Sequence, residues 1–101
     1  MFYVYILYSE GADRYYIGHT SEPSRRLEEH NTVIKNSYTN KYRPWIMKGC
    51  FQVSESRSEA RLVENYLKKM KSRIFIEELI NVPEKFRLVL GKVRAIPMDR
   101  D

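Results

Sequence analysis

The segment Arg14–Asn31, RYYIGHTSEPSRRLEEHN, holds the side chains of this sequence that are best suited to chemistry. It contains a tyrosine pair ending at Tyr16, then Gly18, and further on Arg26 and His30. Phenol and imidazole groups exchange protons, and a guanidinium binds oxyanions through a planar fork of donors. Each of these residues alone is common in a strand, a turn or a solvated helix face, so the prediction of a site depends on their combination.

The tyrosines are predicted to lie on a β-hairpin. Met1–Tyr8, MFYVYILY, is aromatic and β-branched with apolar residues on both faces, which is typical of a central strand covered on each side. The polar segment Ser9–Asp13 contains a glycine and predicts a turn. A second strand over about Arg14–His19 returns from that turn, which places the tyrosine pair at its start.

The register of this hairpin follows from the length of its loop. If the loop runs from residue 9 to residue 14, Tyr8 pairs with Tyr15 and Tyr5 faces Gly18. Tyr16 is then the diagonal neighbour of Tyr5 on the same face, roughly 7–8 Å away. The two hydroxyls would converge over Gly18, whose missing side chain leaves space for a close approach. A slip of one residue would put them on opposite faces.

A helix is predicted after the hairpin, over about Glu22–His30. Pro23 suits its first turn. Arg26 and His30 are four residues apart and therefore lie one above the other on one face. Leu27 is the clearest core residue of this helix.

Composition limits the possible functions. A chain of 101 residues predicts one domain over 1–101. The net charge of +5 favours a polyanionic partner, of which nucleic acid is the commonest, although the same charge can simply aid solubility. A single cysteine excludes a disulfide within the chain and a thiolate metal cluster. Because there is no apolar run near the ~20 residues of a membrane span and no signal pattern, the expected location is cytoplasmic.

The segment Thr32–Arg43, TVIKNSYTNKYR, is polar and basic with two tyrosines. Basic residues interleaved with aromatic ones can hold a phosphate backbone and stack a base. Lys35, Lys41 and Arg43 are therefore candidates for nucleic-acid binding. An ordinary exposed loop would have a similar composition.

A third strand is predicted over Pro44–Ser54, PWIMKGCFQVS, with a possible bulge at Gly49. Its apolar anchors are Trp45, Met47 and Phe51. Cys50 lies among apolar residues in the middle of this strand, so we expect it to be a small core residue rather than a nucleophile.

A well-marked helix is predicted over about Ser58–Lys71, capped by Ser56 or Ser58. At ~100° per residue, Glu64 lies at the border of its buried stripe. An ordinary role for Glu64 there is an ion pair with Lys68, four residues later. The stripe consists of Ala60, Val63, Leu67 and Met70.

The C-terminal part has weaker signals. Ile74–Ile80 predicts a short amphipathic helix that is broken near Pro83. The tail, Glu84–Asp101, contains RLVLGKVRAI, which fits either a helix or a strand. The sequence has no glycine-rich phosphate loop and no close pair of histidines for zinc.

The order of these parts resembles the GIY-YIG nuclease family, in particular its small stand-alone members related to the catalytic module of the excision-repair incision subunit. Tyr3-Val4-Tyr5 resembles the first motif, with tyrosine where the family usually has glycine, and Tyr16-Ile17-Gly18 is the second motif intact. Arg26 and His30 match the family's helix arginine and histidine, Glu64 in VENYLKK matches its metal-binding glutamate, and YTNKYRP also resembles the small branch. The resemblance covers about residues 2–71, leaving a C-terminal helix and tail over 72–101.

The resemblance implies an α/β (α+β) fold, with a three-stranded antiparallel sheet flanked by helices. It implies an endonuclease that hydrolyses DNA, with RNA not excluded, in repair or recombination. Glu64 would hold one divalent cation, Mg²⁺ or Mn²⁺, and Arg26 would bind a phosphate oxygen. Tyr5 or Tyr16 would orient or deprotonate the water, with Tyr5 favoured, and His30 would assist. The alternatives are a non-catalytic nucleic-acid-binding module and a protein-interaction domain.

Overall fold

The computed structural model describes residues 1–32 and 41–95. Its strands are β1 (Phe2–Ser9), β2 (Arg14–Thr20) and β3 (Ile46–Ser54). Its described helices are α1 (Pro23–Thr32), α2 (Arg57–Met70), α3 (Arg73–Asn81) and α4 (Phe86–Ala95), with a 3₁₀ turn at Pro83–Lys85 before α4. The tail that fitted either a helix or a strand is therefore helical as far as Ala95.

The three strands form one antiparallel sheet in the order β2-β1-β3. The central position of β1 was predicted from its apolar faces, and the fold is the α+β arrangement expected from the sequence. The predicted hairpin register is confirmed: Tyr8 pairs with Tyr15, and Tyr5 faces Gly18. The hairpin places Tyr5, Tyr16 and Gly18 on one face of the sheet, as its two-residue period requires.

The sheet is covered on both faces, but unequally. The larger core lies between one face and helices α2, α3 and α4, and it includes Val4, Ile6, Val63 and Leu67. The smaller core lies on the other face, where Tyr5, Leu7 and Trp45 pack with partly buried residues that include Leu27 of α1. Tyr5 therefore belongs to the thinner layer of the protein.

Helix α2 begins where its capping signal predicted. The Ser56 hydroxyl accepts the backbone N–H of Glu59, so Ser56 rather than Ser58 is the cap. The helix ends at Met70, and Lys71 follows in the left-handed conformation at φ 49°. The predicted stripe is buried at Ala60, Val63 and Leu67, but Met70 is 40% exposed. Met70 departs from the stripe because it is the last residue of the helix, where the chain turns toward α3.

One further core prediction holds in part, since Leu27 packs against the smaller core, and one was wrong. Leu27 is only partly buried, and the buried residue of α1 is His30. Cys50 is exposed. Cys50 lies on the edge strand β3 and pairs with Tyr5 of β1, so its side chain points to the face of the sheet that carries the smaller core. The bulge predicted at Gly49 is present, with Lys48 as the extra residue between the pairs of Gly49 and Met47.

Within residues 1–32 and 41–95, no helix has the length and apolar character needed to cross a membrane.

Candidate active site

A buried hydrogen bond joins Tyr5 of β1 to His30 at the end of α1. The Tyr5 hydroxyl lies 2.9 Å from Nε2 of His30. Tyr5 is 1% exposed and His30 is 6% exposed, so this polar pair lies inside the smaller core. A buried hydroxyl and imidazole each need a partner, and here they provide one for each other.

Gly18 makes room for this pair. A Cβ atom built on Gly18 would lie 2.6 Å from Cζ of the Tyr5 ring and closer still to its hydroxyl. The sequence predicted a space over Gly18, and the structure shows that the Tyr5 hydroxyl itself occupies it. The motif glycine is thus explained by packing, because any side chain at this position would displace Tyr5.

Tyr16 and Arg26 lie beside the pair. The Tyr16 ring is 6.4 Å from the Tyr5 ring and meets the His30 ring edge-on at 4.9 Å, centroid to centroid. Tyr16 is only partly buried, and the Arg26 side chain is 43% exposed and forms an ion pair with Glu29 at 3.2 Å. The exposed groups of the site are therefore Tyr16 and Arg26.

Electrostatics keep the pair neutral. Burial raises the pKa of Tyr5 well above its ordinary value, and neighbouring Tyr16 adds to this, while Arg26 acts in the opposite direction. Burial likewise lowers the pKa of His30, and the Arg26 charge lowers it further. Near neutral pH, Tyr5 is therefore a neutral phenol and His30 a neutral imidazole, and Tyr5 donates to Nε2 in the tautomer that carries the ring proton on Nδ1.

Glu64 approaches from the other side of the sheet, around the edge strand β2. Its carboxylate oxygen Oε1 lies 2.6 Å from Nδ1 of His19, and Oε2 lies 2.5 Å from Nζ of Lys68. Lys68 Nζ is also 5.9 Å from the centre of the Tyr16 ring. Lys68 thus links Glu64 to the Tyr16 ring, and the structure places Glu64 beside the group formed by Tyr5, Tyr16, Arg26 and His30.

His19 is the residue of this cluster that sequence reasoning did not include. Because Tyr16 and Gly18 point to one face of β2, the alternation of side chains sends His19 to the other face, opposite Val4 and toward α2. This alternation is readable in the sequence, but the contact with Glu64 also requires the position of α2. Lys68 had been assigned only its ion pair, which the structure confirms.

The basic segment is described in part. Lys35 lies outside the described residues. Lys41 is exposed with Nζ 5.6 Å from the centre of the Tyr42 ring, and Arg43 is partly buried. Within the part of the chain that the structure describes, Lys41 and Arg43 form no hydrogen bond or ion pair with the five clustered side chains.

The donor set at Glu64 fits a hard divalent cation with few protein ligands. Among residues 1–32 and 41–95, no three His, Cys, Asp or Glu side chains gather into a metal cluster. Mg²⁺ commonly uses one or two carboxylates and fills its other positions with water and substrate oxygens. The Lys68 ammonium lies against Oε2, so this oxygen already pairs with one cationic group of the protein. The Lys68 side chain is 48% exposed.

The fold and the site together define a small α+β domain that has a buried tyrosine–histidine pair and one carboxylate at a sheet edge. The model of the GIY-YIG catalytic domain matches residues 1–77. The chain therefore belongs to the GIY-YIG family, which is a family of nucleases. A UPF0213 protein of Enterococcus faecalis (strain ATCC 700802 / V583) is 41% identical over 70 residues, which cover 67% of this chain and 77% of that protein. No solved structure matches the chain.

Proposed function

We propose that this protein is a metal-dependent endonuclease that hydrolyses phosphodiester bonds in DNA. The observation that carries the proposal is the 2.9 Å hydrogen bond between Tyr5 and His30 within the cluster that contains Glu64. A tyrosine is a poor base by itself, with an ordinary pKa of about 10. A neutral imidazole behind the phenol gives its proton a destination.

In the proposed mechanism, a water molecule attacks the phosphorus atom and gives one proton to the Tyr5 oxygen. The phenolic proton of Tyr5 moves at the same time to Nε2 of His30, so Tyr5 remains neutral and His30 becomes an imidazolium. A bond forms between phosphorus and the water oxygen, and the bond to the 3′ oxygen breaks. The leaving oxygen takes a proton from solvent. Tyr5 is only 1% exposed, so bulk water does not reach its hydroxyl freely. The attacking water would therefore be the one that a bound phosphate holds against the site.

Arg26 and Tyr16 are the residues proposed to meet the substrate. The Arg26 guanidinium would exchange its exposed ion pair with Glu29 for a non-bridging phosphate oxygen and stabilise the charge that grows there. The Tyr16 hydroxyl would orient the attacking water. Glu64 would hold one Mg²⁺ or Mn²⁺ ion, and when bound that ion supplies positive charge to the phosphate and the leaving oxygen.

The basic segment is proposed to bind the substrate away from the scissile bond. Lys35, Lys41 and Arg43 would contact phosphates, a sequence-independent interaction that weakens as salt rises. Raising the salt concentration from low to physiological should therefore weaken DNA binding steeply. An affinity that barely changes would show that this segment is not a phosphate track.

The test compares Glu64→Gln with Arg26→Ala on labelled single-stranded, duplex and branched DNA, with Mg²⁺, with Mn²⁺ and with chelator. Glu64→Gln should abolish cleavage but retain binding, because it removes the metal carboxylate and one negative charge. Arg26→Ala should abolish cleavage and also weaken binding, because it removes a phosphate contact.

The matched controls are Glu28→Gln and Arg87→Ala. Both residues are exposed, and neither forms an ion pair among the described residues. Both variants should cleave at the wild-type rate. Wild-type cleavage by the Glu64→Gln protein would refute the proposal. Metal-independent binding without cleavage by the wild-type protein would instead identify a non-catalytic nucleic-acid-binding module.

A further inference from the structure

A second basic surface lies between the hairpin and the junction of helices α2 and α3. It is an open groove of about 320 Å³, with Arg14 and Tyr15 on the hairpin side and Lys68, Lys71 and Arg73 on the helix side. Its apolar floor includes Ile17, Leu67 and Ile76. We call it the hairpin groove. Lys41 and Arg43, the two described residues that were assigned to nucleic-acid binding from the sequence, do not line it.

We propose that the hairpin groove binds the sugar–phosphate backbone of the DNA substrate beyond the scissile phosphate. This inference rests on the proposed nuclease function. Four of the lining residues are cationic, whereas Asp13 is the one acidic residue among those lining it. An excess of lysine and arginine on one concave surface is the electrostatic signature of phosphate binding.

Two of the four cations of the groove, Lys68 and Arg73, are paired with carboxylates, and the other two are not paired among the described residues. Arg73 is engaged within the protein, since it forms ion pairs with Asp13 at 2.5 Å and Glu77 at 3.1 Å and so fastens the hairpin turn to α3. Arg14 and Lys71 are exposed and have no carboxylate within 4.0 Å in the described part of the chain. Arg14 instead lies 4.8 Å from the centre of the Tyr42 ring. Arg14 and Lys71 are therefore the cations with charge available for a ligand.

The groove is continuous with the candidate active site through Lys68. This residue lines the groove, forms an ion pair with Glu64 and lies against the Tyr16 ring. β2 is an edge strand, so no further strand among the described residues separates the groove from the site along this edge. A strand of DNA with its scissile phosphate at Tyr16 and Glu64 would pass directly into the groove, which favours the substrate itself over an unrelated acidic partner.

The test measures binding of labelled DNA at several salt concentrations for Arg14→Gln, Lys71→Gln and the double variant. Loss of one phosphate contact lowers the log–log salt slope by about 0.9, and loss of two lowers it by about 1.8. We expect severalfold weaker binding for each single variant at physiological salt. Lys92→Gln makes the same change on α4, which does not line the groove, and should match the wild-type protein.

Cleavage kinetics provide the second measurement. Because the groove lies beside the reacting groups rather than among them, Lys71→Gln should raise KM severalfold and leave kcat unchanged. If the wild-type protein cleaves DNA but Lys71→Gln and Arg14→Gln match Lys92→Gln in salt slope and KM, the groove assignment is wrong and the nuclease proposal stands. If the folded wild-type protein neither binds nor cleaves DNA, the nuclease proposal fails and the groove assignment fails with it.

Discussion

The packing of Gly18 against Tyr5 gives the sharpest prediction, for the substitution Gly18→Ala. The added methyl would lie 2.6 Å from Cζ of Tyr5, so the whole ring must move and not only its hydroxyl. Forcing one extra methyl into a packed core costs about 1–3 kcal/mol. Displacing the ring also breaks the buried hydrogen bond to His30, which contributes about 1 kcal/mol. The free energy of unfolding should therefore fall by about 2–4 kcal/mol, which in a domain of this size lowers Tm by on the order of 10 °C or more.

Chemical and thermal denaturation measure this change, and cleavage of labelled DNA measures the effect on the site. Gly11→Ala and Gly91→Ala are the matched controls, because neither added methyl would have an atom within 4 Å. Gly91 lies inside α4, where alanine should stabilise by up to ~1 kcal/mol. We expect Gly18→Ala to lose cleavage even under conditions in which it remains folded. A Gly18→Ala protein with wild-type stability and wild-type cleavage would refute the proposed role of the close contact.

Three other predictions follow from the site and its supports. Burial lowers the pKa of His30 in the native state, so below the unfolded-state pKa of about 6.5 the unfolded protein binds up to one more proton than the native protein. As the pH falls from there to the native pKa, the free energy of unfolding should decrease by at most ~1.4 kcal/mol per pH unit. In pH-dependent denaturation His30→Gln should lack this decrease, and identical slopes for the variant and the wild-type protein would contradict the prediction. Asn31 donates to the backbone carbonyl of Trp45 at 3.0 Å and accepts its N–H at 2.7 Å, so Asn31→Ala should cost about 2 kcal/mol, detectable through the emission of the single tryptophan; an unchanged denaturation midpoint would contradict it. His19→Ala should weaken Mn²⁺ binding at Glu64 about tenfold or more by removing the partner that orients the carboxylate, which calorimetric titration measures; unchanged affinity would contradict this positioning role.

The register of the hairpin could be predicted from the sequence alone. The loop length and the two-residue period of the strands were enough to place Tyr5 opposite Gly18 and on the face of Tyr16, and the structure confirms this register. These are local relations, because the hairpin loop holds the two strands in one alignment. Helix α2 was also predicted from local signals, and its N-terminal cap and most of its buried stripe lie where they were expected.

The predictions that failed concern burial and contacts that depend on how the layers of the fold pack together, which local sequence patterns do not specify. Apolar neighbours suggested that Cys50 was a core residue, yet it lies exposed on the face of the sheet that carries the smaller core, where Leu27 is only partly buried. His30 is buried because it pairs with Tyr5, and this partner is 25 residues away in sequence. The contact of His19 with Glu64 joins two elements that meet only after α2 packs around the edge of the sheet. Sequence spacing fixed which face each residue takes, but not which faces meet.

The buried pair and the charged residues of the cluster have different roles when a substrate binds. Tyr5 and His30 are neutral, buried and paired with each other, so their geometry is set before any ligand arrives. The charged groups instead hold exchangeable partners: Arg26 pairs with Glu29, and Lys68 pairs with Glu64 through a side chain that is 48% exposed. The Arg26–Glu29 pair is exposed on both sides and is worth about 1 kcal/mol or less, whereas charge-assisted hydrogen bonds to a phosphate are stronger. A phosphodiester could therefore displace Glu29 from Arg26 at little energetic cost. Tyr5 and His30 on one side and Lys68 on the other all lie against Tyr16, so this residue of β2 joins the preset pair to the exchangeable charged groups.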